Sequence, residues 1–263
     1  LWLELRCRNK GATAANFHLA LSALGPARDE IYVGHLATQR FLQKVTAPSL
    51  ASWRVSVPAG AEFCLERIRL KAGQTVSGLA QLVPEAPCDT ELRVVATELD
   101  GKGSDDPIPD TGPPGRTARG VFSAEINQSY SYKAGDRFLY IQLGGTPYLV
   151  DSVTKEKSPG NFGAVYRYTL QISNPTQEYY DFALSASARG GPARGHIFLD
   201  GELKDPGNIG ANPIDLKRWH LAPGERRVVR FETLPQSGSN YPVSLVMGAV
   251  RSKNQDILTP DTL

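Results

Sequence analysis

The chain contains 263 residues, enough for two domains that each bury a hydrophobic core. Hydrophobic residues make up 41% of the sequence and charged residues 21%, a balance that excludes an intrinsically disordered chain. The formal net charge is only +2, from 29 basic and 27 acidic residues, so we expect no nucleic-acid partner and no attraction to an anionic membrane.

The first predicted element is a strand in the segment LWLELRCR (1–8). Its apolar residues alternate with polar ones, which is the period of a strand with one buried face, and this period places Cys7 toward the core. A turn at NKGA (9–12) and a second apolar segment, NFHLALSA (16–23), follow. We interpret the short apolar run IYV (31–33) as another strand, because the sequence nowhere shows the caps and 3.6-residue period of a long amphipathic helix.

Residues 100–119 concentrate Gly, Pro and Asp, a composition typical of a linker or a long surface loop. Carboxylates at a domain junction could hold calcium, but the segment lacks the D-x-D-x-D-G order of a calcium loop, and a solvated linker is the favoured interpretation. We therefore expect no cofactor and no metal. The weak calcium candidates are Asp100, Asp105 and Asp106.

Residues 120–163 form a structured block without a counterpart in the first half of the chain. The segment GVFSAEI (120–126) predicts a strand. The segment RFLYIQLGGTPYLVDSV (137–153) predicts two strands joined across a Gly-Gly turn.

Aromatic residues in and after this block form the candidate ligand-binding set. Alternation puts Tyr130 beside Tyr132 on one strand face and Phe138 beside Tyr140 on another, so a platform for stacking sugars is one interpretation. Packing in the core is the other, because tyrosine is partly buried in most folds. The candidate binding residues are Tyr130, Tyr132, Tyr140, Tyr179 and Tyr180.

The tetrapeptide GPAR occurs twice, at 25–28 and 191–194. Upstream of it, RNKGATAANFHLALSA (8–23) aligns with SNPTQEYYDFALSASA (173–188). The alignment continues downstream, and its further matches are IYV (31–33) with IFL (197–199) and LKAG (70–73) with LAPG (221–224). The parallel order of apolar segments and turns predicts a domain-length duplication. The alternative is two unrelated all-β domains that share turn residues by chance.

Short strands separated by turn residues at these intervals are typical of a β-sandwich. We predict an all-β fold of two tandem immunoglobulin-like β-sandwich domains, the second with an added strand or hairpin block. The predicted boundaries are a first module at 1–99, a linker at 100–119, a second module at 120–251 with the inserted block 120–163, and a C-terminal tail at 252–263.

The turn residues resemble those of bacterial immunoglobulin-like modules of the adhesion-related (CARDB) type. Those modules run strand, N-x-[GT] turn, strand, L-x-[AP]-G-[QE] turn and a final strand. The matching segments here are Asn9-Lys10-Gly11 with LKAGQ (70–74), and Asn174-Pro175-Thr176 with LAPGE (221–225). The resemblance leaves out residues 34–60 and 100–163. It implies a spacer, adhesion or accessory role outside the cytoplasm, and it specifies fold far better than activity, because its motifs are turn chemistry.

The sequence contains no motif for a nucleophile, a metal or a phosphate. Its histidines are scattered, and His18 and His220 alternate with apolar neighbours, so we expect both to face solvent from strands. We predict that the chain is not an enzyme. The least favoured hypothesis is a hydrolase with dispersed carboxylates, such as Asp136 and Asp151.

Three cysteines, Cys7, Cys64 and Cys88, permit at most one intramolecular disulfide, and their pairing stays open. No apolar run is long enough to cross a bilayer, so we expect no membrane insertion. The start at Leu1, without an initiator Met or a leader, predicts a mature or trimmed fragment, with loss of a signal or of an anchor as the two alternatives.

The favoured functional hypothesis is a non-catalytic structural, adhesion or binding module of an exported bacterial surface protein, located outside the cytoplasm. Its partner would be a cell-surface glycan or protein. The alternative is a carbohydrate-binding accessory region in which the 120–163 block determines specificity. The basic stretch at 217–231 is interpreted as a charged outer sheet face, with a stripe for a polyanionic glycan as the alternative.

Overall fold

The structure is a computed structural model that describes residues 1–46, 53–97, 125–151, 155–236 and 238–252. Strands predominate in these residues, which confirms the all-β class. The chain separates into two compact units, Leu1–Ala118 (unit 1) and Arg119–Leu263 (unit 2). No helix in the described ranges is long and apolar enough to cross a membrane.

Three predictions fall largely or wholly on residues outside these ranges. One is the linker at 100–119 with its calcium candidates Asp100, Asp105 and Asp106. Another is the strand at 120–126, of which only Glu125 and Ile126 are described. The third is the C-terminal tail, of which only Ser252 is described.

The described residues of unit 1 form two antiparallel three-stranded sheets and one helix. Its described elements are β1 (Trp2–Asn9), β2 (Ala15–Ala27), α1 (Glu30–Thr46), β3 (Trp53–Val57), β4 (Glu62–Arg69), β5 (Thr75–Pro84) and β6 (Thr90–Thr97). The strand orders are β4-β1-β6 and β3-β2-β5, and α1 packs against β2 and β5. Cys7, Phe17 and Val57 meet in a buried cluster, so the predicted inward orientation of Cys7 is confirmed.

Helix α1 corrects the prediction that the chain has no long helix and that residues 31–33 form a strand. The helix begins after Asp29, whose carboxylate accepts a hydrogen bond from the Tyr32 backbone N–H at 3.0 Å and caps the first turn. Val33, Ala37 and Phe41 recur at four-residue spacing and are all buried. The β-branched and aromatic residues at the start of this segment suggest a strand, but tertiary packing of the four-residue stripe overrides that local preference.

Unit 2 contains a five-stranded and a four-stranded sheet. Its described elements are β7 (Glu125–Lys133), β8 (Leu139–Leu143), β9 (Leu149–Val150), β10 (Lys157–Ser158), a short 3-10 helix (Pro159–Asn161), β11 (Val165–Ser173), β12 (Tyr180–Ala188), β13 (Ile197–Leu199), β14 (Glu202–Lys204), β15 (Ile214–Leu221), β16 (Arg226–Thr233) and β17 (Val243–Arg251). The strand orders are β14-β13-β16-β11-β7 and β15-β12-β17-β8, and β9 pairs separately with β10. The core includes Tyr168, Leu170, Phe182, Phe231 and Leu245, all at most 2% exposed.

The predicted pair of strands across the Gly-Gly turn takes a different form. Both strands are present, as β8 and β9, but they do not pair with each other. β8 pairs with β17, and β9 pairs with β10. Gly144 has a φ of 73°, and a Cβ atom there would lie 2.8 Å from the Gly160 carbonyl oxygen, so this position requires glycine.

The same asparagine contact appears in both units. The Asn9 side-chain amide donates to the carbonyl oxygens of Thr13 and Val57 at 2.7 and 3.0 Å. The Asn174 amide donates to those of Glu178 and Leu221 at 2.6 and 3.1 Å.

These contacts give Val57 the place in unit 1 that Leu221 has in unit 2. The turn at 57–60 therefore corresponds to the turn at 221–224. The alignment of residues 70–73 with residues 221–224 is wrong, because the chain after residue 73 enters β5, which pairs with β2, whereas the chain after residue 224 enters β16, which pairs with β11.

Candidate ligand-binding groove

The four-stranded sheet of unit 2 carries a groove whose floor consists of small side chains. Along β12 the sequence DFALSAS alternates, so Phe182 and Leu184 are buried while Ala183 and Ser185 line the groove. Ser187 continues the row on the same face. Because Ala and Ser have short side chains, the outer surface of the sheet is lower along β12 than along its two edges, and this difference forms the groove.

Two aromatic side chains form one wall of the groove. Tyr140 lies on β8 opposite Val246 of β17 and is 64% exposed. The Phe138 ring is 63% exposed and lies against Gly248, where a Cβ atom would stand 2.6 Å from the ring. A glycine at position 248 therefore makes room for the Phe138 ring.

The opposite wall is charged. Asp215 and Arg218 of β15 lie opposite Ser185 and Ala183 of β12, and the Arg218 Nε donates to the Asp215 carboxylate at 2.8 Å. Arg189, just after β12, adds a second guanidinium, which is exposed and has no carboxylate partner among the residues that the structure describes. The groove encloses about 430 Å³.

A histidine and a carboxylate lie together where the groove meets the start of β12. The Asp181 Oδ1 is 2.8 Å from the His220 Nδ1 on the neighbouring strand. The His220 ring stacks on Tyr179, with 5.2 Å between ring centroids and 9° between planes. These contacts fix the direction of the Asp181 carboxylate, which lines the groove.

Of the five tyrosines predicted to bind a ligand, Tyr140 lines the groove. Tyr132 is 2% exposed and packs edge-on against Phe182, with 6.0 Å between centroids. Tyr130 is half-buried and lies 6.4 Å from the Tyr168 ring. The prediction of a stacking platform at Tyr130 and Tyr132 is wrong, because β7 turns both rings toward the core, and burial raises the pKa of both hydroxyls.

The other two predicted tyrosines do not line the groove. Tyr179 is half-buried against His220 beside it, and Tyr180 packs on the edge of the core. The predicted shared face of Phe138 and Tyr140 is confirmed, since both form the aromatic wall.

Sequence reasoning missed most of the polar side chains in the groove. Asp181 and Arg189 lie at the two ends of β12, Asp215 lies on β15, and none of the three belongs to a motif. Arg218 belongs to the basic stretch at 217–231, for which an outer sheet face is predicted. Its side chain does lie on the outer face, where it lines the groove. The available signal was the row of small residues at alternate positions in DFALSAS, which indicates an outward face without tall side chains at its centre.

The carboxylates considered for hydrolysis do not line the groove. Asp136 is exposed in the turn between β7 and β8, where its carboxylate accepts a hydrogen bond from the Lys133 backbone N–H at 3.0 Å. Asp151 is 2% exposed after β9. The two groove carboxylates, Asp181 and Asp215, each contact a basic side chain.

The remaining polar predictions can be placed individually. His18 and His220 are exposed on strands, as expected. The three thiols are free, with Cys7 buried and Cys64 and Cys88 exposed.

No protein-family model matches the chain, and no curated protein matches it. Among solved structures, a chain from the structure of infectious bursal disease virus Gx strain is 11% identical to this chain, with a TM-score of 0.15. The match covers 96% of this chain and 57% of that chain. A likeness this small does not define the fold.

Proposed function

We propose that the chain is a non-catalytic adhesion or binding protein made of two tandem immunoglobulin-like sandwiches, and that the groove of unit 2 binds an acidic glycan. The groove itself carries the proposal, because two exposed aromatic rings face a charged wall across a floor of Ala, Ser and Gly. A sugar ring needs such an arrangement, since it presents an apolar face and a rim of hydroxyls.

Phe138 and Tyr140 supply the apolar contact. The C–H groups on one face of a sugar ring carry partial positive charge and pack against the negative face of an aromatic ring. Covering these two exposed side chains also removes apolar surface from water, at about 25 cal/mol for each Å².

Arg189 selects for an acidic sugar. A guanidinium without a carboxylate partner in the described part of the chain can donate two parallel hydrogen bonds to a ligand carboxylate. Asp181 and Asp215 can accept hydrogen bonds from hydroxyls. Because both carboxylates also line the groove, a glycan with one acidic residue among neutral sugars fits better than a polyanion.

The immunoglobulin-like part of the proposal is supported by the correspondence between the units. In each unit the first core strand pairs with the fourth, the second pairs with the third and the fifth, and an asparagine closes the same turn. Strands β1, β2, β3, β4 and β5 thus correspond to β11, β12, β15, β16 and β17. With the resemblance to CARDB-type modules, this correspondence supports an adhesion or spacer role for an exported bacterial surface protein.

A glycan array tests the proposal with neutral oligosaccharides and with oligosaccharides that contain a uronic or sialic acid. We expect the full chain to bind acid-containing glycans. We expect Tyr140→Ala and Arg189→Ala each to weaken binding by about tenfold or more, which corresponds to about 1.4 kcal/mol of lost contact. Tyr148→Ala and Arg226→Ala are matched controls, because both residues are exposed and neither lines the groove.

Two results would contradict the proposal. If the folded chain binds nothing on the array, a glycan is excluded as the ligand. Binding that survives both groove substitutions would remove the groove as the site.

A further inference from the structure

The part of unit 1 that the structure describes has an open side at the place where β8 closes unit 2. In unit 2, β8 pairs with β17 and buries Ile141 and Leu143, which are 1% and 3% exposed. The strand of unit 1 that corresponds to β17 is β5, which pairs with β2. Within the described part of unit 1, no strand lies against the other edge of β5.

Apolar residues on the inner face of β6 are exposed beside this open edge. Leu92 lies opposite the fully buried Cys7, so it points to the same side of the sheet, yet it is 50% exposed. Val94 lies opposite Leu5 and is 68% exposed. In unit 2 the position that corresponds to Leu92 is Tyr132, which is 2% exposed.

The inner face of β5 is uncovered at the same place. Ala80 lies opposite the buried Leu21 and is exposed. The corresponding residue of unit 2 is Leu245, which lies opposite Ile141 of β8 and is fully buried. β5 and β6 thus expose together the surface that β8 covers in unit 2.

The sequence of β5 leaves most of its free edge unprotected, because its one proline, Pro84, is its last residue. Natural edge strands avoid unwanted pairing through charges, proline or bulges. Residues 75–83 contain neither a charge nor a proline, whereas the other edge strands of unit 1 carry charges. The charged residues of those strands include Arg54 in β3, Arg67 in β4 and Arg93 in β6.

We propose that unit 1 binds an extended segment of another protein, which pairs antiparallel with the free edge of β5. Backbone hydrogen bonds would supply affinity, and apolar side chains at alternate positions would cover Leu92 and Val94 and supply selectivity. The bound segment needs apolar residues at i, i+2 and i+4, the pattern of Leu139, Ile141 and Leu143 in β8.

A second copy of the chain fits this surface less well. Pairing of β5 with β5 of another copy would bring Val76, Gly78, Ala80 and Leu82 toward the inner face. Gly78 and Ala80, at the centre of this row, are too small to cover Leu92 and Val94. The size of the uncovered surface therefore favours a foreign strand with larger side chains.

The test uses a fluorescent peptide with the sequence of residues 137–145, RFLYIQLGG, because this segment fills the corresponding place in unit 2. We expect saturable binding to the full chain and slower amide hydrogen exchange along β5. A peptide with proline in place of Ile141 should not bind, since proline cannot donate a backbone hydrogen bond. Slower exchange along β17 alone would mean that the peptide replaces β8, and this result would overturn the proposal.

Protein variants separate the surface from its surroundings. Val94→Asp should weaken peptide binding by about tenfold or more, because it places a charge in an apolar contact. Val83→Asp is the matched control, since Val83 is on β5 but opposite the exposed His18 on the outer face.

Equal binding by Val94→Asp and the unchanged chain, or no binding at all, would overturn the proposal. A dimer that excludes the peptide would assign the edge to a second copy and would also overturn it. None of these results bears on the groove of unit 2.

Discussion

At the scale of single residues, two asparagines hold the turns that join the first two core strands of each unit. Asn9 is 1% exposed and Asn174 is fully buried. Each side-chain amide donates to three carbonyl oxygens. We expect Asn9→Ala and Asn174→Ala each to lower the free energy of unfolding by about 2–3 kcal/mol, because buried carbonyl groups lose their donor. Urea denaturation followed by tryptophan fluorescence measures this loss.

Asn127→Ala is the control for these substitutions, since Asn127 is exposed on β7. Its free energy of unfolding should stay within about 0.5 kcal/mol of the unchanged chain. If Asn174→Ala behaves like this control, the turn does not depend on the asparagine.

A second residue-scale prediction concerns the exposed ion pair between β3 and the end of β5. The Arg54 guanidinium donates to both Glu85 carboxylate oxygens, at 2.8 and 2.9 Å. The hydrogen bonds from Arg54 lower the pKa of Glu85 below its ordinary value. A lowered carboxyl pKa stabilises the fold above the ordinary pKa, and this contribution is lost as pH falls through the lowered value.

Glu85→Gln should therefore lower the thermal midpoint slightly at about pH 7 and less at about pH 2, because acid protonates the Glu85 carboxylate and makes it as uncharged as glutamine. The measurement is a pair of thermal denaturation curves at each pH. A deficit of equal size at both values would show that Glu85 acts through packing and not through its charge.

At the scale of elements, the aromatic wall depends on the fit between β17 and the start of β8. In Gly248→Ala the new Cβ would lie 2.6 Å from the Phe138 ring, so the ring must move. Because that ring is 63% exposed and free to rotate, we expect stability to change by no more than about 1 kcal/mol while glycan affinity falls. The NMR shifts of the Phe138 ring report the movement directly.

Gly78→Ala is the matched control for the loss of a strand glycine. A Cβ atom there meets its nearest neighbour at 3.5 Å, an ordinary contact. If Gly248→Ala leaves both the ring shifts and the affinity unchanged, the groove does not require the fit between Gly248 and Phe138.

The elements also show what the sequence could predict. Alternation identified β1, with Cys7 inward, and the shared face of Phe138 and Tyr140, because strand period is a local property. The same reasoning missed α1, because its N-terminal cap is a single residue, Asp29, and its row of buried apolar residues is narrow. It also misplaced the second turn match, because VPAG (57–60) and LKAG (70–73) both fit the apolar-x-x-Gly pattern of LAPG (221–224), and only strand pairing distinguishes them.

At the scale of the whole molecule, the groove could be predicted only in part. Tyr140 could be predicted as a groove residue from its residue type and its position in the strand alternation. No sequence pattern distinguishes it from Tyr132, which is also a tyrosine and lies on the preceding strand of the chain. Their difference arises from pairing, since β7 lies beside β11 with its tyrosines turned inward, and β8 lies at a sheet edge. The charged wall needs β12 and β15 side by side, and this contact is not local in the sequence.

Among the residues that the structure describes, the two units differ in how completely their inner sheet faces are buried, and this difference predicts their behaviour when they are separated. Leu170, Phe182 and Leu245 of unit 2 are fully buried, whereas Leu92 and Val94 of unit 1 are exposed on an inner sheet face. We expect a fragment of residues 119–263 to unfold cooperatively and to keep its glycan affinity. A fragment of residues 1–118 should unfold at lower urea concentration and bind a hydrophobic dye.

The RFLYIQLGG peptide connects this difference to the open edge of β5. Added to the 1–118 fragment, it should raise the urea midpoint and reduce dye binding, because a ligand that binds only the folded state stabilises it by mass action. The proline-containing peptide is the control and should change neither quantity. If the 1–118 fragment is instead as stable as the 119–263 fragment and excludes the dye, its core is closed without an added strand, and the exposure of Leu92 and Val94 serves no partner.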